Sequence, residues 1–147
     1  MDSKLIYLVQ TDTTVGFSSS SDEKLSLLKQ RPRTKKILNT VDSFSTLNKN
    51  TRVPRNFREQ VRYSKKTTFI YPNGMSYRVV SKNSHFYDFI HKFGVLYSTS
   101  ANKTGENFER EFAIEGAEVV VEDKRSFYET TASKIIKLAK IKSKRIR

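Results

Sequence analysis

Three polar clusters in this sequence hold residue types that could bind or transform a ligand. The first is Gln10-Thr11-Asp12-Thr13-Thr14-Val15-Gly16, which directly follows an apolar run. Its hydroxyls can hold a small polar ligand, and Gly16 allows close backbone approach. An ordinary Ser/Thr turn would use the same residues. The second is Lys29-Gln30-Arg31-Pro32, extended by Arg33, Lys35 and Lys36. An Arg fork beside a Lys point charge suits a polyphosphate. The same cations would also offset the negative end of a helix dipole or simply solvate a surface. The third is Ser98-Thr99-Ser100-Ala101-Asn102-Lys103-Thr104-Gly105. Small hydroxyl residues and open N–H groups after a strand favour phosphate. Neither the Gly-x4-Gly-Lys-Ser/Thr spacing nor the Gly-x-Gly-x-x-Gly spacing is present.

These clusters need a scaffold, and the pattern of apolar residues outlines one. Leu5–Val9 reads as a buried strand and residues 11–21 as a loop. Ser20 with Glu23 forms a capping-box pattern that starts a helix with Leu25 and Leu28 on its apolar edge, ended by Pro32. Ile37–Val41 is a weak strand signal. Residues 42–66 are polar and basic, with one short helix expected over Asn56–Tyr63. Thr67–Tyr71 and Met75–Val80 flank Pro72-Asn73-Gly74, a hairpin signal. Ser84 is placed to cap a helix carrying Phe86, Phe89, Ile90 and Phe93, with Gly94 closing it. Val95–Tyr97 should be a strand leading into the third cluster. Phe108–Ile114 reads as helix, ending at Gly116, and Glu118–Val121 and Ser133–Leu138 as strands. Alternating strands and helices predict an α/β fold with an open twisted mixed β-sheet and flanking helices. In such sheets ligands gather at the carboxyl ends of strands.

Composition limits the chemistry. At 147 residues and 36% apolar content, the chain suits one domain with one lean core. The expected division is a domain over 1–138 and a basic tail over 139–147. Cysteine is absent, which removes disulfides, thiol catalysis and Cys-based zinc sites. His85 and His91 are the only imidazoles, at a spacing that does not share a helix face. The formal net charge of +13 concentrates anions, so RNA, nucleotides and acidic membranes are the partners to weigh. Met1–Gln10 lacks the basic start and long apolar region of a signal peptide. No stretch reaches the length of a transmembrane helix. The expected location is cytoplasmic, with no membrane partner.

In their order along the chain, the three clusters together resemble the YrdC family. Gln10–Gly16 resembles its Pro-Thr-Asp/Glu-Thr-x-Tyr/Phe-Gly loop, and Lys29, Arg31 and Pro32 match its Lys-x-Arg-Pro. Thr99–Gly105 matches its Thr-Ser-Ala-Asn-x-x-Gly loop, the most specific of the three. Thr68-Phe69-Ile70, Arg78 and Thr131-Ala132-Ser133 resemble its central and late segments. Gln10 and Val15 stand where the family has a Pro and an aromatic residue. The segment between Lys36 and Thr67 is short for the family, and the extra C-terminal domain of its larger branch is not in this sequence.

The resemblance implies a YrdC/RibB-like fold and a TsaC-type synthase of the short single-domain form. Such enzymes combine L-threonine, bicarbonate and ATP, release pyrophosphate and form threonylcarbamoyl-adenylate. A separate set of transfer proteins then passes the threonylcarbamoyl group to tRNA. By carry-over, Lys29 and Arg31 would be catalytic, stabilising the phosphates as pyrophosphate leaves. Lys29, Arg31, Ser100, Asn102 and Ser133 would bind ATP with its Mg²⁺. Thr11, Thr13 and Arg78 would bind threonine. No protein side chains are implied as metal ligands. The alternative is a non-catalytic YrdC-like RNA-binding protein acting on tRNA or rRNA. The related carbamoyl-transferring domain of hydrogenase maturation factors sits beside Cys-rich zinc fingers, which this sequence lacks, and a plain basic interaction domain is the remaining reading.

Overall fold

The computed structural model describes residues 1–147 and forms an open, twisted nine-stranded mixed sheet with flanking helices. In chain order the elements are β1 (Tyr7–Gln10), β2 (Val15–Ser19), α1 (Asp22–Leu28), β3 (Asn39–Val41), α2 (Phe44–Asn50), α3 (Arg58–Tyr63), β4 (Thr67–Ile70) and β5 (Ser76–Val79). Then come α4 (Tyr87–His91), β6 (Val95–Ser100), α5 (Arg110–Gly116), β7 (Val119–Val121), β8 (Lys134–Leu138) and β9 (Ser143–Arg145). The sheet order is β7-β1-β2-β6-β3-β5-β4-β8-β9. The β1–β7, β3–β5 and β4–β8 pairs are parallel, and the other neighbours are antiparallel.

β1 is apolar at successive positions because both its faces are buried. Ile6 and Leu8 pack with Phe17 and Leu25 under α1 and α5, while Tyr7 and Val9 pack with Phe86, Phe89 and Ile90 of the α4 segment. A third cluster of Val41, Leu47, Val53, Phe57, Val61, Phe69 and Tyr77 lies under α2 and α3. Isolated helices of five to seven residues are unstable in water, so these apolar anchors hold them in place. Each fully buried Leu or Phe contributes roughly 1.5–3 kcal/mol. Leu47 is the anchor of α2 and Val61 that of α3.

Several expectations shift. Residues 11–21 hold a strand, β2, because Gly16, Phe17 and Ser18 pair with β6 on one side and β1 on the other. The α1 cap is Ser21, whose hydroxyl accepts from Lys24 N at 3.2 Å, one residue later than the capping-box pattern indicated. α2 has no sequence expectation behind it: Ser43 caps it through Thr46 N at 3.0 Å, and its apolar face is the buried Leu47 with the partly buried Phe44. Ser84 accepts from Phe86 N at 3.2 Å but does not cap α4, whose first residue is Tyr87. The third cluster begins as strand, since β6 runs on to Ser100. Residues 139–147 are not a free tail. Ser143–Arg145 pairs antiparallel with β8 as the last strand, with Ala139 N bonded to Lys142 O across the turn. No helix is long and apolar enough to cross a membrane.

Candidate functional site

β1 and β2 form a hairpin whose four-residue loop is Thr11–Thr14. The loop is tied by its own hydroxyls: Thr13 N donates to Thr11 Oγ1 at 3.2 Å, and Thr11 Oγ1 donates to Thr14 O at 2.5 Å. Gly16 opposite Ser100 fits a close approach, because a Cβ there would meet Thr99 O at 2.9 Å.

The end of α1 presents the second cluster. Gln30 adopts φ +52°, and Arg31 N reaches back to Ser26 O at 3.0 Å, a Schellman-type exit made without glycine. This turn sends the Lys29 and Arg31 side chains in different directions. Lys29 is buried, and its ammonium donates to Ser100 O at 3.0 Å, to Asn102 Oδ1 at 3.2 Å and to Asn102 O. Thr104 returns a bond from its hydroxyl to Lys29 O at 3.1 Å. Burial and the nearby Arg31 guanidinium push the Lys29 pKa down to about 8. Arg31 instead faces a cavity. Its Nη2 donates to Lys36 O at 3.4 Å, and its buried Nε has no partner.

Arg78 of β5 meets Asp12 in a buried bidentate pair. Nε and Nη2 donate to the carboxylate at 2.9–3.1 Å, and the side chains are 3% and 5% exposed. β4 and β8 bring Thr68 and Ser133 within 2.8 Å of each other, hydroxyl to hydroxyl. The chain returning along β9 then places Arg147 on Ser133, with Nε at 2.8 Å from its carbonyl and Nη2 at 3.2 Å from its hydroxyl.

These elements enclose a cavity of about 510 Å³. Thr11, Thr13, Arg31, Arg78, Ser100 and Ser133 all line it, although they come from distant parts of the chain. Lys35, Lys36 and Arg147 add positively charged side chains, and no Asp or Glu lines the wall. Nine Ser and Thr residues supply hydroxyls. Anions and hydroxylated ligands fit such a lining.

Two of the expected ATP ligands stand behind this wall. Lys29 and Asn102 do not line the cavity. All three N–H donors of the Lys29 ammonium meet oxygens, and the Asn102 amide donates to Glu106 O at 2.5 Å. Their role in this geometry is to clamp the end of α1 to the Ser100–Gly105 loop.

Asp12 and Arg147 were missed as site residues. Asp12 stands within the first cluster, but only the fold brings it to its partner on β5. Arg147 lies in a basic stretch with no strand signal, so nothing local distinguished it from a solvated charge. No group of three or more His, Cys, Asp or Glu is arranged to hold a metal ion.

No protein-family model and no curated protein matches the sequence. Solved structures do match the fold. P. abyssi Sua5 complexed with L-threonine is similar over 98% of this chain and 50% of its own, at 16% identity and TM-score 0.77. E. coli YciO is similar over 98% of this chain and 82% of its own, at 14% identity and TM-score 0.75. A full-length HypF in its phosphate- and nucleotide-bound form is similar over 98% of this chain and 27% of its own, at 15% identity and TM-score 0.71. The chain therefore has the YrdC-like fold, and it spans about half the length of the Sua5 chains it resembles. Sua5, YciO and HypF share this fold, so the fold alone does not separate their activities.

Proposed function

We propose that this chain binds ATP and L-threonine in the β2–β5–β8 cavity and makes threonylcarbamoyl-adenylate, which other proteins transfer to tRNA. The observation that carries this reading is the cavity's lining: Thr11, Thr13, Arg31, Arg78, Ser100 and Ser133 converge there with no Asp or Glu in the wall. The L-threonine held by a Sua5 and the nucleotide held by a HypF, both of this fold, support it.

In this reading the threonine amine attacks bicarbonate carbon, water leaves, and a carbamate forms. A carbamate oxygen then attacks the α-phosphorus of ATP, the bond to the β-phosphate oxygen breaks, and pyrophosphate departs with the electron pair. The chain's part is positioning and charge stabilisation. Arg31, with its unpartnered Nε, Lys35, Lys36 and Arg147 hold the phosphates; Mg²⁺ arrives with the nucleotide. Asp12 fixes Arg78 through Nε and Nη2, leaving Nη1 for the threonine carboxylate. Ser100 and Ser133 bond the nucleotide, and Lys29 and Asn102 act as positioning residues for the loop that carries Ser100.

Incubation with labelled bicarbonate, L-threonine and Mg-ATP tests the reaction. A threonine-dependent labelled adenylate and stoichiometric pyrophosphate are expected. Arg31→Ala should lower its formation about 10- to 100-fold, the worth of one charge-assisted hydrogen bond, with an unchanged melting temperature. If Arg31→Ala turns over like the parent protein, the phosphates are held elsewhere.

A further inference from the structure

A concentration of unpaired charge outside the cavity lies on the α2–α3 layer. Residues 49–66 hold seven Lys and Arg against a single acid, Glu59. Lys49, Arg52, Arg55, Arg58 and Arg62 are all exposed, and none forms an ion pair with a carboxylate. Strand alternation separates this layer from the nucleotide cavity. Thr68, Ile70 and Arg78 line the cavity, whereas Phe69, Tyr77 and Val79 point the other way, into the core that carries α2 and α3.

The layer forms a groove of about 870 Å³ lined by Lys49, Arg52, Arg58, Arg62 and Glu59, with Tyr63 at its edge and 72% exposed. Two of its guanidinium groups are held in place. Arg62 lies 4.7 Å over the Phe44 ring, and Arg58 Nε donates to Val53 O at 3.4 Å. The positive surface continues from Arg52 and Arg55 to Lys140 on the β8–β9 turn, which line a neighbouring hollow together.

We propose that this groove is a docking surface for single-stranded RNA, separate from the nucleotide site and independent of the reaction proposed there. A row of guanidinium forks matches a chain of phosphodiesters, and bringing so many cations together with one carboxylate, Glu59, among them is relieved by a polyanion. A small anion would satisfy one fork and leave the others. Tyr63 and the Arg62 plane offer stacking surfaces for unpaired bases. Glu59 can accept from a ribose 2′-hydroxyl, a donor that DNA lacks. An anionic membrane is the poorer match, because the surface is a concave polar groove and not a flat face edged with apolar side chains.

The test is fluorescence anisotropy of the full chain with a labelled single-stranded RNA of about 20 nucleotides, in saturating Mg-ATP and over a range of salt. Binding should persist in ATP and weaken steeply with salt. Lys49→Glu/Arg52→Glu/Arg55→Glu changes side chains that make no hydrogen bond, so folding should be retained. It should bind at least about 10-fold more weakly, with a salt slope shallower by about 3. Tyr63→Ala should lose about 5-fold or more through lost stacking. The ATP-induced thermal shift of both variants should equal that of the parent, which keeps this result distinct from any failure of the synthase reading. Undiminished RNA binding by the triple variant overturns the proposal. So does displacement of RNA by ATP, equal affinity for DNA of the same sequence, or binding to phosphatidylserine vesicles without binding to RNA.

Discussion

Arg78 and Asp12 show how residue chemistry and stability meet in this site. The guanidinium is buried, and its counter-charge comes from the β1–β2 loop. Removing one partner of a buried pair leaves an uncompensated charge, at about 3–5 kcal/mol. Asp12→Ala should therefore lower the unfolding free energy measured in urea by that amount, whereas Lys24→Ala, which breaks an exposed pair with Glu118, should change it by less than about 1 kcal/mol. Similar losses in the two variants would mean that the Arg78 pair is solvated. Lys29 titrates for a different reason. Burial and Arg31 lower its pKa from 10.5 to about 8 in the folded chain. Between these values the unfolded chain holds a proton that the folded chain has released, so this residue's contribution to stability rises with pH across that window. Denaturation of the parent and of Lys29→Met at about pH 7.5 and 10 should show the parent gaining relative to the variant. A parallel response would show that the three carbonyl and amide oxygens keep the ammonium charged throughout.

At the scale of elements, the β8–β9 hairpin does two things. It extends the sheet beyond β8, and it folds Arg147 onto Ser133 at the cavity rim. A chain stopped after Leu138 should keep the cores under α1, α2 and α4, which draw from β9 nothing. It should bind ATP about 10-fold more weakly by calorimetry, through the loss of one guanidinium. Unaltered affinity would remove Arg147 from the site. Elements with strong apolar periodicity were legible in the sequence: β1, the β4–β5 hairpin around Gly74 and the α4 segment with its aromatic spacing. β2, α2 and β9 were not. Val15–Ser19 is wholly buried, yet it carries only two apolar side chains, Val15 and Phe17, beside a glycine and two serines, too short an alternation to stand out. Phe44–Asn50 offers one buried leucine in seven residues, and Ser143–Arg145 has no buried residue at all.

Over the whole molecule, the formal charge of +13 sets a self-repulsion that acts against the compact state. Raising ionic strength from about 0.01 M to about 0.15 M shortens the screening length from about 30 Å to about 8 Å. The melting temperature should rise over that range. A fall would mean that ion pairs such as Lys24–Glu118 and Arg110–Glu122 contribute more than the repulsion costs. The charge also divides by location. One part faces inward around a cavity without carboxylates, and another covers α2 and α3 on the opposite face of β4 and β5.

The sequence by itself determined which chemistry is available: no thiols, two imidazoles, three hydroxyl-rich or cationic clusters and an excess of positive charge. It also determined the α/β architecture, because alternating apolar strands and helical stripes leave few ways to bury both. Tertiary structure alone decided which polar residues share a wall. Thr11, Arg31, Arg78, Ser133 and Arg147 lie far apart in the chain, and a strand register of one residue more or less would turn Arg78 into the core and Tyr77 toward the cavity. Only the fold decided that Lys29 ties two loops together while Arg31, two residues on, faces the cavity. The left-handed turn at Gln30 sets those directions, and no local composition signals it, since glycine is absent there.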